Sequence, residues 1–176
     1  MSGYGQNSYT PAPSGAPSGG QAGGVDKMVI IAIVGAVIAF IGTFLNWSYS
    51  DTASGGVKGK EFTDGIIVMI TAGLAAAALV GVIVAKKAQL TIAGAGLALI
   101  SLVIGALNLF DPDRAAIAKA EDENSDQGEQ FSSEQIEEAI KALDFSAAPG
   151  VYMVVIGALA AAVCGFLAFK NSRAAR

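Results

Sequence analysis

Histidine is absent from the 176 residues, and cysteine occurs once, as Cys164. The first absence excludes Ser-His-Asp triads, histidine metal sites and histidine pH switches. The second excludes an intrachain disulfide and any multi-cysteine zinc or iron–sulfur site. Charge is also scarce. Asp, Glu, Lys and Arg make up 15% of the chain, against about 25% in a typical soluble domain. The net charge of −4 argues against general nucleic-acid binding. What is plentiful is apolar: 53% of residues are hydrophobic and 22 are Gly. The charges are clumped, which leaves long stretches with none. An ordinary water-soluble globule is thereby excluded, and a membrane protein is expected.

Four segments lack Asp, Glu, Lys and Arg and approach the length of a membrane span: Met28 to Leu45, Gly65 to Ala85, Ala88 to Phe110, and Gly150 to Phe169. A span needs about 20 apolar residues. Helices are required, because hydrocarbon offers backbone N–H and C=O groups no partner. The first segment is the shortest, and Trp47 and Tyr49 just beyond it read as interfacial anchors. It follows 27 mostly uncharged residues and lacks a clear small-residue cleavage site, so it reads as a retained helix rather than a signal peptide. Lys27, Lys86, Lys87, Lys170, Arg173 and Arg176 fall on one side of these spans, with Asp26 as that side's sole acid. The 46–64 and 111–149 loops carry every other acidic residue. The positive-inside rule then predicts a multi-pass plasma-membrane protein with both termini cytoplasmic.

Residues 1–24 are a low-complexity run of Gly, Ser and Pro with interspersed Tyr and Gln. Residues 1–27 are expected to form a disordered cytoplasmic tail, and residues 171–176 a basic one. Spans two and four share a pattern. A shift of 84 residues places Gly73 on Gly157, Ala77 on Ala161 and Gly81 on Gly165. This reads either as a duplicated two-helix hairpin or as convergence in Ala- and Gly-rich helices. Each triplet recurs every fourth residue and marks a face where backbones can approach closely in lipid. Such a face packs within the bundle or against another subunit.

The 111–149 loop carries helix signals. Asp111–Pro112 reads as a cap followed by proline at the first helical position, opening a short helix to about Glu121. The polar stretch 121–130 reads as a break. Ser132 and Gln135 form a capping box, with Phe131 and Ile136 as a hydrophobic staple. Ile136, Ala139, Ile140 and Leu143 recur at helical spacing. An extracytoplasmic amphipathic helix of about twelve residues is expected, whose apolar residues Phe131, Ile136, Ile140 and Leu143 pack on the bundle or on a partner protein.

Sites of chemistry are not found. Asp122, Asn124, Asp126 and Glu129 suggest a calcium loop, but the glycine and the final carboxylate fall out of register. No ionisable residue lies within a span, although proton-coupled transporters generally carry one. Asn46 and Asn108, at the outer ends of spans one and three, are candidates to line a vestibule. Cys164 reads as a small packing residue. No catalytic, cofactor or metal site is expected.

The Gly/Pro/Ser/Tyr/Gln tail, the first-span ending Gly42-Thr-Phe-Leu45-Asn-Trp47 and the second-span start Thr63-Asp64-Gly65 resemble the small, uncharacterised four-helix membrane proteins of actinobacteria. That resemblance implies the plasma membrane of a Gram-positive envelope and carries over no activity. The expected fold is an all-α four-transmembrane-helix bundle with an extracytoplasmic amphipathic helix between helices three and four. The expected function is a non-enzymatic structural or accessory subunit. Its partners would be membrane lipids and other membrane proteins, or further copies of itself. The alternative is a small oligomeric transporter or channel subunit.

Overall fold

The computed structural model describes residues 26–128 and 130–174, so the expectation for the tail at 1–25 lies outside the described residues. The chain is mostly helical. In order it forms α1 (Lys27–Gly42), β1 (Asn46–Ser50), β2 (Gly55–Lys58), a 3-10 turn (Gly59–Glu61), α2 (Thr63–Ala85), α3 (Gln89–Phe110), α4 (Asp113–Asp126), α5 (Ser133–Lys141), β3 (Ser146–Ala147) and α6 (Pro149–Ala174). Three helices, α2, α3 and α6, are long and apolar enough to cross a membrane.

Local chemistry sets the helix ends. The Asp26 carboxylate accepts the Met28 N–H at 2.9 Å and caps α1. Helix α1 stops at Gly42, three residues before the expected end at Leu45. Its Gly42 carbonyl accepts the buried indole N–H of Trp47 at 3.1 Å, which satisfies one of the carbonyls that any helix end leaves open. Between α2 and α3, Lys86 takes a left-handed conformation, with φ 54°, and reverses the chain in three residues. Proline opens α6, where its missing N–H is no loss. Helix α6 continues to Ala174, so residues 171–174 extend the helix instead of beginning a separate tail.

The apolar helices contact one another in a closed ring, α1–α2–α3–α6–α1, and α1 against α6 is the most extensive contact. Their interior is built of small residues. Ala32, Ala36, Ala39, Ala72, Ala75, Ala98, Ala158 and Ala161 are buried, while Ile30, Val34, Ile70, Leu74, Val103, Leu107, Ile156 and Phe166 are exposed. This inverts the large-inside pattern of water-soluble cores. It suits lipid, where close backbone approach and dispersion contacts hold helices together.

Two reciprocal glycine contacts fix α1 against α6. A Cβ on Gly35 would lie 2.6 Å from the Gly157 carbonyl oxygen, and one on Gly157 would lie 2.5 Å from the Gly35 oxygen. About two turns along, a Cβ on Gly42 would lie 2.8 Å from the Gly150 oxygen, and one on Gly150 would lie 2.8 Å from that of Gly42. No side chain fits at either crossing. Gly157, Ala161 and Gly165 are all buried, the first two against α1 and Gly165 against Ala95 of α3.

The matching triplet on α2 behaves differently. Ala77 is exposed, and Gly73 and Gly81 are half-buried. The inward face of α2 is instead Val68, Ala72, Ala75 and Leu79. Shifted by 84 residues, these fall on Tyr152, Ile156, Leu159 and Val163, all exposed. The two helices therefore share that register without sharing a packing role. Spacing by four marks a face but does not say which way the face turns.

Both long loops build one cap over the end of the assembly where α1 and α3 finish and α2 and α6 start. Strand β1 is central in a three-stranded antiparallel sheet of order β2-β1-β3. The β1–β2 register shifts between Asn46 and Ser48. This bulge lets consecutive residues Trp47 and Ser48 both turn inward, against the normal alternation. Trp47 is fully buried and packs edge-on against Phe62 at 5.4 Å. It is a core residue and not the interfacial anchor expected from its position. Tyr49 is exposed.

Adding a methyl at Gly157 pushes into backbone, whereas at Gly73 it would meet only the Phe40 ring at an ordinary 3.5 Å. Gly157→Ala is expected to destabilise the protein by about 1–3 kcal/mol and Gly73→Ala to leave it unchanged or slightly firmer. Thermal unfolding of the two variants in mild detergent checks this.

Candidate functional site

The cap and its seat on the helices gather most of the polar side chains that the fold holds in place. Helix α4 lies across the start of α2 and the end of α3. It begins at Asp113, and Asp111 serves as the C-cap of α3. It runs to Asp126, five residues beyond the expected end at Glu121. The extension is held by side chains that sequence spacing does not reveal. Lys119 reaches Glu61 at 3.3 Å and Glu123 at 3.8 Å. Asp122 accepts from the Thr63 hydroxyl at 3.1 Å. Asn124 bonds both the N–H and the carbonyl of Phe131, at 3.0 and 2.9 Å.

A second anchor lies deeper. Arg114 Nε donates to Asp64 Oδ2 at 2.9 Å. Asn108 Nδ2 donates to the Ile104 carbonyl at 3.0 Å and, more weakly, to the same Asp64 oxygen at 3.4 Å. Asn108 is 1% exposed, and its Oδ1 has no partner among the described residues. Asn46 sits elsewhere, on β1, with its side chain along Gly56. The two amides thus serve different elements: one ties α3 to α2, and the other lines the hairpin.

The capping box read from Ser132 and Gln135 is formed, with bonds of 3.3 and 3.0 Å. Helix α5 spans nine residues, shorter than the expected twelve. Ile136 is buried, and Ile140 packs on the cluster around Trp47, Phe62 and Ala115. Leu143 is half-buried, and its carbonyl accepts the Ser50 hydroxyl. Phe131 departs from the expected staple. It is 60% exposed, because Asn124 pins its backbone and leaves the ring outside. Ala139 is exposed as well. Phe131 borders a polar cleft of 420 Å³ between the end of α4 and the start of α5, lined also by Glu121, Ser125 and Ser132. Outside it, Asp122, Glu123, Glu134, Glu137 and Glu138 make an exposed acidic surface.

Among the described residues, no group of three or more His, Cys, Asp or Glu is placed to hold a metal ion. In the calcium-like run, Asp122 and Asn124 are engaged with Thr63 and Phe131, and Glu129 lies outside the described residues. Cys164 packs beside the Ala75–Leu79–Ala98 cluster. Within the helix interior, the Thr71 and Ser101 hydroxyls bond to each other at 2.7 Å and to carbonyls of their own helices. What the arrangement offers chemically is contact: a charged, partly aromatic cap and a greasy helix perimeter.

Comparison with protein families, with curated proteins and with solved structures finds no match for this chain.

Burial acts to raise the Glu61 carboxyl, but the Lys58 N–H and the Lys119 ammonium outweigh it and hold the group below its ordinary 4.5. The unfolded chain therefore binds the proton more readily. The stabilisation is full above about pH 4.5 and is lost as pH falls through the lower, folded value. The protection factors of the α4 amides, with the pH dependence of intrinsic exchange divided out, are expected to fall on acidification. Glu61→Gln should remove that part of the pH dependence while speeding exchange at pH 7.

Proposed function

We propose that this chain is a four-span plasma-membrane protein that acts without catalysis. It is a structural or accessory subunit, working through its helix perimeter and its cap on partner membrane proteins. Both termini are cytoplasmic and the cap is outside. Support for this orientation comes from charge: the acidic residues of the loops gather on the cap, and Lys86, Lys87, Lys170 and Arg173 lie at the opposite end. The resemblance to actinobacterial four-helix proteins adds a Gram-positive envelope to the reading.

Helix α1 is the short span. Its 16 residues rise about 24 Å at 1.5 Å per residue, below the roughly 30 Å of a hydrocarbon core. The segment beyond it supplies the remainder. Phe44 and Leu45 are exposed and apolar, and the backbone there is satisfied by the protein. Phe44 N–H bonds Ile41, Leu45 N–H bonds Gly42, Gly59 N–H bonds Leu45, and Lys60 N–H bonds Thr43. Non-helical backbone at membrane depth is tolerated when it is satisfied in this way.

The observation that carries the accessory role is the interior itself. Alanine, glycine, Val68, Leu79 and Val154 close it, the Thr71–Ser101 pair is internally bonded, and the cap sits over one mouth. Such an interior suits a scaffold. A conduit needs a wet, polar path along the axis.

Three measurements test the proposal. With Cys164 replaced by Ala, a cysteine at Ser125 is expected to react with a membrane-impermeant maleimide on intact cells. One at Asn171 should react only after permeabilisation; the reverse pattern inverts the topology. Purified protein in liposomes is expected to give ion and solute flux equal to protein-free vesicles. Flux that Asn108→Leu abolishes would establish the transporter reading instead. Phe131→Ser, at an exposed position, should leave the melting temperature unchanged and weaken capture of a partner membrane protein.

A further inference from the structure

On the outer side of the α3–α6 contact lies an apolar groove of 440 Å³, walled by Ile92, Leu99, Leu159, Val163 and Phe166. Its gap is Gly96, where an added Cβ would meet nothing within 4 Å. The lining runs along α3 from Ile92 to Leu102, about 15 Å at 1.5 Å per residue. That is half of a roughly 30 Å hydrocarbon core, or the depth of one leaflet. The groove lies towards the end of the assembly where α3 begins and α6 finishes. That end carries Lys86 and Lys87 in the turn before α3, and Lys170 and Arg173 on α6. The Arg173 guanidinium rests over the Phe169 ring, 5.3 Å from its centre. Among the described residues, the acid at this end is Asp26, and its carboxylate is engaged in capping α1.

We propose that this groove seats one acyl chain of an anionic glycerophospholipid, with its phosphate held by Lys87 and Lys170. The single-leaflet length suits an acyl chain, and the cationic end suits a phosphate, which forms charge-assisted hydrogen bonds with ammonium groups. A neutral phospholipid meets the first condition and not the second. A helix from another protein would span both leaflets and gain nothing from the lysines. The inference rests on the membrane reading above, which assigns the lipid to the cytoplasmic leaflet.

The test uses the full chain in mild detergent, with thermal unfolding as the readout. Dioleoylphosphatidylglycerol is expected to raise the melting temperature by several degrees, dioleoylphosphatidylcholine by far less, and chainless glycerol 3-phosphate not at all. Gly96→Leu projects into the groove and improves helix propensity, so it should fold at least as firmly and lose the phosphatidylglycerol shift. The Lys87→Ala, Lys170→Ala double variant should lose most of it. Equal shifts from the two phospholipids, an undiminished shift in Gly96→Leu, or a lipid-free dimer that Gly96→Leu dissociates would each overturn the proposal. Failure of the membrane reading shows separately, as a protein that stays dispersed without detergent.

Discussion

The backbone contact between α1 and α6 positions the elements above it. At Gly35–Gly157 and Gly42–Gly150 the two helices touch main chain to main chain. Any side chain there would force them apart. The second crossing also brings the end of α1 against the start of α6, where the Ala148 N–H bonds the Trp47 carbonyl at 2.9 Å. The Gly42 carbonyl receives the Trp47 indole. Trp47 in turn leaves room only for hydrogen at Gly59, whose backbone closes onto Gly65 at the start of α2. A line of glycines thus runs from the middle of α1 and α6 into the cap and registers three helices against one tryptophan.

The chain satisfies two solvents with two packing rules. Along the apolar helices, alanine and glycine make up most of the inward positions, with Val68, Leu79, Val151 and Val154 among them, and most Ile, Leu and Phe face outward. Hydrocarbon does not drive such helices together, so closeness of approach takes the place of apolar burial. In the cap the order reverses. Trp47, Val57 and Phe62 are inside with Ala115 and Ala116, and charged side chains are outside. There the hydrophobic effect operates as in any soluble domain. Asp64, which accepts from both Asn108 and Arg114, ties the cap to the apolar helices where the two packing rules meet.

This division bears on function. A cap joined to its helices by glycine contacts and ion pairs, above a closed apolar interior, leaves the outer surfaces as the part of the molecule free to engage others. Those surfaces differ in character: acidic with an exposed aromatic on the cap, apolar around the helices, and basic at the far end. Each suits a different class of contact, which supports the accessory role proposed above.

The apolar helices were legible in the sequence because the demand of hydrocarbon is one-dimensional. An uncharged run of sufficient length and a charge asymmetry between loops are properties of the chain read in order. The capping box at Ser132–Gln135 was legible for the same reason, since its partners lie three residues apart. The sheet, the true partners of Gly157, and the burial of Trp47 were not. Gly35 and Gly157 are far apart in sequence, and nothing in either segment names the other. Spacing by four marked Gly73, Ala77 and Gly81 as readily as the α6 triplet, and only the ring of contacts turned one inward and the other aside. Trp47 follows an apolar run in the way an interfacial anchor does, and the bulge in β1 turns it into the core. Composition decided which solvent each segment meets. Tertiary structure decided which face meets which, because that depends on a crossing geometry that no local stretch of chain contains.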